Sequence, residues 1–254
     1  MKPTVQGYDL TNLDNSPRAR GEPLAARITA RLKQAILDAE FQFGEALSED
    51  KLAAAFGTSR TPVRSALTAL QVQGLIEIKP QSGSFVFVPT RQNLEDLCEF
   101  RTLLELQALT LSINRRRDET IALLRNASDR MEEEKLEGDW QAVAQTDSSY
   151  HRAIVQNCGN IYLLESFELV AARVDAIRTR ITMALGEIRA RAMNEHVAII
   201  DALEEGKLSK AKSILRSHIM TALSSFDMAC KEGTFNAKNA DKSFPFDGLQ
   251  LNSD

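Results

Sequence analysis

Residues 57–76 read GTSRTPVRSALTALQVQGLI. Val63, Ala66, Leu67 and Leu70 recur at helical spacing and share one face, whereas Arg60, Thr61, Arg64 and Thr68 lie on or near another. Ser59 stands where an N-cap is expected, and Pro62 falls in the first turn, where a missing N–H removes no internal hydrogen bond. Gly74 follows the last periodic residue. The stretch is therefore a helix from about Ser59 to Gln73 whose polar face opens with two arginines four residues apart and contains no acid.

The flanks give that helix a context. Leu24, Ile28, Leu32, Ala35 and Ile36 recur at helical spacing and predict a first helix. Ser48 then reads as an N-cap, with Glu49 and Asp50 in a first turn that favours acids and Gly57 as terminator, which gives a helix of about two turns. After Gly74 the run LIEIKPQSGSFVFV (75–88) changes period around a Pro/Ser/Gly turn and predicts a two-stranded hairpin. Helix, short helix, tight turn, helix and hairpin is the order of a winged helix-turn-helix, which places the start of its second motif helix in the DNA major groove. Arginine suits that position, because it pairs bidentately with guanine or clamps a phosphate. Taken alone, Arg60 and Arg64 would be a solvated helix face; the agreement of caps, turn, spacing and hairpin favours DNA. Residues 21–90 hold as many acids as bases, so binding would rest on a small patch, on the polar arm of residues 1–22 with Arg18 and Arg20, and on two copies of the domain.

Composition bounds the rest. The 254 residues are 43% hydrophobic, as in an ordinary globular protein with room for two modest cores. A formal net charge of -4 argues against a protein that coats nucleic acid or membranes indiscriminately. Cys98, Cys158 and Cys230 are an odd number at long spacings, which suits neither a disulfide framework nor a cysteine zinc module. No apolar run approaches the roughly 20 residues of a membrane span, and the N-terminus lacks a secretory layout, so a cytoplasmic, membrane-free location is expected.

After Pro89 the texture is helical, with expected spans 93–114, 118–137, 140–157, 162–185, 187–205 and 209–231, broken by RRRD, EGD, CGN, LG and EGKLS. The fold class expected is mainly α: an arm (1–22), a winged helix-turn-helix (23–89), an all-helical bundle (93–231) and a polar tail (232–254). RRR at 115–117 reads as cations at a helix end, and EEE at 132–134 as a solvated face. Trp140 and Tyr150 fit helical packing.

DSSYH (147–151) places Asp147 and His151 at i and i+4 on one helix face. His196 and His218 would be ~33 Å apart on a continuous helix, but the break at EGKLS lies about midway, so two helices folded back on it bring them level. One aspartate and three histidines make a site for a divalent transition metal: zinc first, with nickel or manganese compatible. Any one of these histidines alone would be read as a core or surface residue satisfied by a hydrogen bond.

The segment LSEDKLAAAFGTSRTPVRSALTALQVQGLIEIKPQSGSFV (47–86) resembles the DNA-binding domain of the GntR family of bacterial transcriptional regulators, and the similarity runs over 24–88. The resemblance implies operator contacts from Arg60, Thr61 and Arg64 beside the cap Ser59, with Gly83 at the wing tip. Two departures stand out. The family often has REAL where this chain has RSAL (64–67), and some members carry a DNA-contacting arginine where Asp50 stands, although Lys51 beside it could substitute.

DSSYHRAIVQNCGNIYLLE (147–165), NEHVAIIDALEEGKL (194–208) and AKSILRSHI (211–219) are similar to successive motifs of the FCD domain, the effector-binding domain of the FadR subfamily of GntR regulators. That resemblance implies a metal held by Asp147, His151, His196 and His218, which helps to bind a small carboxylate or sugar-acid effector. EFRTLLELQA (99–108) is similar to the domain's first helix, with Arg101 facing the cavity or, alternatively, paired with Glu105. The expected function is a homodimeric, ligand-responsive regulator of a palindromic double-stranded operator, a repressor released by its effector. A metal-dependent hydrolase or lyase with an accessory DNA-binding domain is the rival, yet Glu195 points about 100° away from His196 on a helix and no HExxH occurs. A third reading is constitutive DNA binding with a purely structural metal.

Overall fold

The computed structural model describes residues 21–233, apart from the side chains of 186–189. The arm with Arg18 and Arg20 and the tail beyond Gly233 lie outside the described residues. The N-terminal part comprises α1 (Leu24–Leu37), β1 (Ala46–Leu47), α2 (Glu49–Ala55), α3 (Arg60–Val72), β2 (Ile76–Lys79) and β3 (Gly83–Val86). Ile28, Leu32, Ala35 and Ile36 of α1 and Val63, Ala66, Leu67 and Leu70 of α3 form its core, each within 1% of full burial. Leu24, by contrast, is exposed. Ser48 caps α2 through Lys51 N, whereas Ser59 occupies the cap position of α3 without a side-chain cap bond.

The expected hairpin, β2–β3, supplies the central strand and one edge of a three-stranded antiparallel sheet of order β1-β3-β2. Ala46 and Leu47 pair with Phe85 and Ser84. Two residues are too short a run to show a period, which is why β1 leaves no sequence signal. Gly83 pairs with Lys79 at the start of β3 and has φ +111°, a conformation costly for any other residue.

The C-terminal part is helical: α4 (Arg91–Glu137), α5 (Trp140–Gln156), α6 (Ile161–Ala184), α7 (Gly186–Glu204) and α8 (Leu208–Lys231). Thr90 and Asn93 form a reciprocal capping box at the start of α4. The two helices expected at 93–114 and 118–137 are one element, kinked where Arg116 leaves helical geometry at φ -148°, ψ 52°. Its neighbours explain why the arginine run sits there. Arg115 donates to the carbonyls of Cys158 and Gly159 just past α5, and Arg117 donates to Leu203 and Glu204 at the end of α7. The cations therefore serve the C-termini of other helices, not that of their own. The acidic run is not wholly a solvated face either: Glu134 is buried and accepts from Thr146 Oγ1 at 2.9 Å and from Arg130 at 2.7 Å. Trp140 packs on the core and Tyr150 is fully buried, while Tyr162 stays exposed.

The two parts meet at α6. Arg180, 6% exposed, donates to Ile36 O in the last turn of α1 at 3.0 Å and to Phe41 O, and its guanidinium lies 4.0 Å from the Phe43 ring centroid. A cation at a helix C-terminus is favoured by the macrodipole, and burial strengthens the effect. Nearby, Gly74 has φ +69°, and a Cβ added there would lie 3.0 Å from the Arg173 side chain, so the turn after α3 also closes on α6. Arg180→Ala leaves two buried carbonyls without this donor. Chemical denaturation is expected to show a loss of about 1–3 kcal/mol; an unchanged midpoint would mean that water replaces the guanidinium.

Candidate functional site

The exposed face of α3 carries the predicted DNA contacts. Ser59, Arg60, Thr61 and Arg64 are exposed, as is Gly83 in the wing. Thr61, Arg64, Ser65 and Thr68 line a shallow depression on this face. The arginines are not uncompensated, as the 57–76 stretch alone suggests. Arg64 makes a bidentate pair with Glu49 at 3.0 and 2.8 Å, and Arg60 pairs with Asp50. The hydrogen bond from Arg64, helped by its charge, lowers the Glu49 pKa despite some desolvation. The two acids that start α2 thus lie against the two bases that start α3. Residues so far apart in sequence carry no periodic signature, so nothing at 57–76 announced them.

The second constellation lies inside the bundle. α5 supplies Asp147 and His151, α7 His196 and α8 His218, and one ligand-type atom from each lies within 4.8 Å of the others. The fold-back at EGKLS brings the His196 and His218 rings to 4.6 Å between centroids. Asp147, His151 and His196 are buried, and His218 nearly so.

The hydrogen bonds around the rings fix their tautomers. Glu105 accepts from Arg101 Nε at 2.7 Å and sits 2.7 Å from His151 Nδ1. A carboxylate only accepts, so His151 Nδ1 carries the proton. By the same reasoning His218 Nδ1 donates to Glu195, at 2.9 Å, while Arg191 donates to the same carboxylate at 2.9 Å. In the neutral rings both Nε2 atoms are then bare lone pairs, and they face each other at 3.2 Å. Two lone pairs at hydrogen-bond distance with no proton between them repel. A cation between them turns that repulsion into coordination, and carboxylate-backed imidazoles are the usual second layer of a metal centre. Both ring nitrogens of His196 are buried without a hydrogen-bond partner among the described residues, and its Nε2 lies 3.2 Å from Asp147 Oδ1. Tyr150 steadies this segment by donating to His196 O at 3.2 Å. Three neutral imidazoles and one carboxylate can hold a divalent transition ion.

Electrostatics keep the set in its ligating form. Burial, then the charges of Arg101 and Arg178, hold the His151 pKa well below the ordinary imidazole value. Burial and the neighbouring His218 lower His196 to about 3. For Asp147 burial pulls upward, but Arg178 at 2.6 Å and the three histidines outweigh it, so its carboxyl stays ionised. Glu195, the one candidate general base, is committed to His218 and Arg191.

A cavity of about 90 Å³ lies beside the cluster, with Asp147, His218, Arg101, Arg178 and Arg191 in its lining. Arg101 pairs through Nε with Glu105, and among the described residues its buried Nη2 has no hydrogen-bond partner. Arg178, Arg191 and Glu195 were not singled out as cavity residues from sequence. Arg178 and Arg191 sit on helices rich in arginine, and only the packing of α6 and α7 distinguishes them.

Comparison with known proteins adds an independent line. Residues 24–86 match the model for bacterial regulatory proteins of the gntR family, and residues 96–221 match the FCD domain. An HTH-type transcriptional regulator in an unstable DNA locus of Streptomyces ambofaciens is 29% identical over 192 residues, covering 76% of this chain and 80% of its own. The HTH-type transcriptional repressor GlaR of Escherichia coli K12 is 28% identical over 202 residues, covering 76% and 90%. A crystal structure of a GntR transcriptional regulator from Rhodococcus sp. RHA1 has the same fold, with a TM-score of 0.71 at 23% identity over 81% of this chain and 98% of that one.

Two outcomes are expected. Glu49→Gln frees Arg64, so fluorescence anisotropy with duplex DNA at low salt should show binding roughly two- to fivefold tighter; unchanged affinity would mean that the acid does not compete with phosphate. The second concerns protons. Folded His151 and His196 bind protons only well below the unfolded value of about 6.5, so the unfolded chain takes up more protons as pH falls through that value, and stability drops. Chelator-treated protein should therefore lose about 2 kcal/mol per histidine between about pH 6.5 and about pH 5. A flat melting temperature across that window would mean that the folded imidazoles protonate freely.

Proposed function

The chain belongs to the gntR family of bacterial regulatory proteins and carries an FCD domain behind its winged helix, and from that premise we propose that it is a cytoplasmic, dimeric repressor released when a small carboxylate binds at a divalent metal in the bundle. It is a DNA-binding transcriptional regulator, not an enzyme, as are its named relatives. Two recognition helices related by a dimer axis would read a palindromic operator through Arg60, Thr61 and Arg64, with Ser59 and Gly83 beside them. In this reading residues 23–89 serve DNA and residues 93–231 serve effector and metal.

One observation carries the effector reading: the facing Nε2 lone pairs of His151 and His218 at 3.2 Å, each imidazole backed by a glutamate. In this reading Asp147, His151, His196 and His218 hold the ion, zinc first with nickel or manganese compatible. When bound, it supplies a Lewis-acidic position for a carboxylate oxygen. Arg101 Nη2 offers a second, charge-assisted contact. Coupling to DNA would run through α6, because that helix lines the cavity with Ile177, Arg178 and Ile181 and grips α1 with Arg180. An effector that binds one placement of α6 better than another shifts operator affinity by that difference, typically 1–3 kcal/mol.

The test is metal analysis of the purified protein and of His151→Ala/His196→Ala, followed by operator binding with and without metal and small carboxylates. Metal in the wild type alone, and weaker operator binding once carboxylate and metal are both present, are expected. Operator affinity unmoved by chelation or by any carboxylate would instead establish constitutive binding with a structural ion.

A further inference from the structure

Beyond its charged groups, the cavity is lined by aliphatic side chains: Leu94 of α4, Val174, Ile177 and Ile181 of α6, and Ile219 and Ala222 of α8. Cys98 adds a thiol that burial keeps protonated, the charges around it notwithstanding. Three hydroxyl side chains also line the space, and two are committed. Thr221 Oγ1 donates to Ser217 O at 2.8 Å and accepts from Arg191 at 3.0 Å, while Ser225 Oγ donates to Thr221 O at 3.0 Å. The charged lining is committed as well. Arg191 is held by Glu195, Arg101 by Glu105, and Arg178 by both Asp147 and Asp175, so three arginines already face four carboxylates.

From this lining we infer that the effector is a short monocarboxylate with an unsubstituted aliphatic body, preferred over sugar acids and other polyhydroxylated acids. The carboxylate takes the end marked by Asp147, His218 and Arg101, and the body lies on Val174, Ile177, Ile181 and Ile219. One carboxylate suffices, because four carboxylates already face the three arginines, which leaves one surplus positive charge once a divalent ion is bound. A hydroxyl carried into this space gives up hydrogen bonds to water and meets a lining that is mostly aliphatic, with the Thr221 and Ser225 hydroxyls already engaged. A methylene entering the same space gains burial, which in an apolar site is worth roughly tenfold or more in discrimination.

The inference rests on the proposed carboxylate-at-metal reading, and the experiment separates the two. Zinc-loaded full-length protein is titrated calorimetrically with 3-methylbutanoate and with glycerate, which have the same number of non-hydrogen atoms, and with acetate, which has only the carboxylate and a methyl group. The expected result is 3-methylbutanoate binding at least about tenfold tighter than glycerate, with acetate weaker than 3-methylbutanoate. Val174→Thr keeps the side chain's shape and adds a hydroxyl, so it should narrow the ratio between the two acids several-fold, with metal content reporting that the site is intact. Glycerate binding as well as or better than 3-methylbutanoate overturns the selectivity while leaving the carboxylate site standing. No binding of any of the three, acetate included, overturns the carboxylate reading itself and the selectivity with it.

Discussion

Two imidazole nitrogens that cannot bond each other set the terms for the helical part of this protein. His151 and His218 give their Nδ1 protons to Glu105 and Glu195 and so present bare Nε2 atoms to one another at 3.2 Å. Glu105 is fully buried and paired there with Arg101, and Glu195 is held by Arg191 in the same way. The chain therefore places acid and base in pairs behind each of these two imidazoles, and those pairs draw α4, α5, α7 and α8 onto one point. Burying so many charges contributes little net stability against an apolar alternative. What it secures is one arrangement of ring tautomers and one direction for the lone pairs.

A second set of buried charge lies one layer away, on α6. Arg178 faces Asp147 and the cavity, whereas Arg180, two residues on, bonds the end of α1 and the Phe41 carbonyl. Two residues along a helix is a rotation of about 200°, so opposite faces of one rod serve the ligand site and the DNA-binding part. A rigid helix packed on both sides transmits a shift better than a loop would, because packed interfaces move between discrete arrangements.

How much of this was legible depended on the range of each interaction. Local chemistry was readable: the Ser48 cap, the breaks at Gly57, Gly74 and Gly206, and the apolar faces of α1 and α3 follow from neighbours within a few residues. The histidine site was readable as well, because EGKLS announces a fold-back and the spacing to it is equal on both sides. The pairing of Glu49 with Arg64, the reach of Arg115 and Arg117 to foreign helix ends, and the grip of Arg180 were not. Each joins elements whose mutual placement no periodicity encodes. The strand Ala46–Leu47 was missed for a different reason: it exists only because β3 offers an open edge.

The acids at the start of α2 have a consequence on the scale of a whole chromosome. A regulator spends most of its time among millions of unrelated sites, and the free pool available to its operator is set by how weakly it holds them. Non-specific attraction is almost entirely phosphate against cation, so every duplex must compete with Glu49 and Asp50 for Arg64 and Arg60 before it gains a contact. That toll is the same for all sequences, whereas hydrogen bonds to the correct base edges are gained only at the operator. Self-pairing of the proposed reading arginines would therefore weaken operator and background by the same factor, leaving their ratio unchanged while a larger share of the protein stays free of unrelated sites.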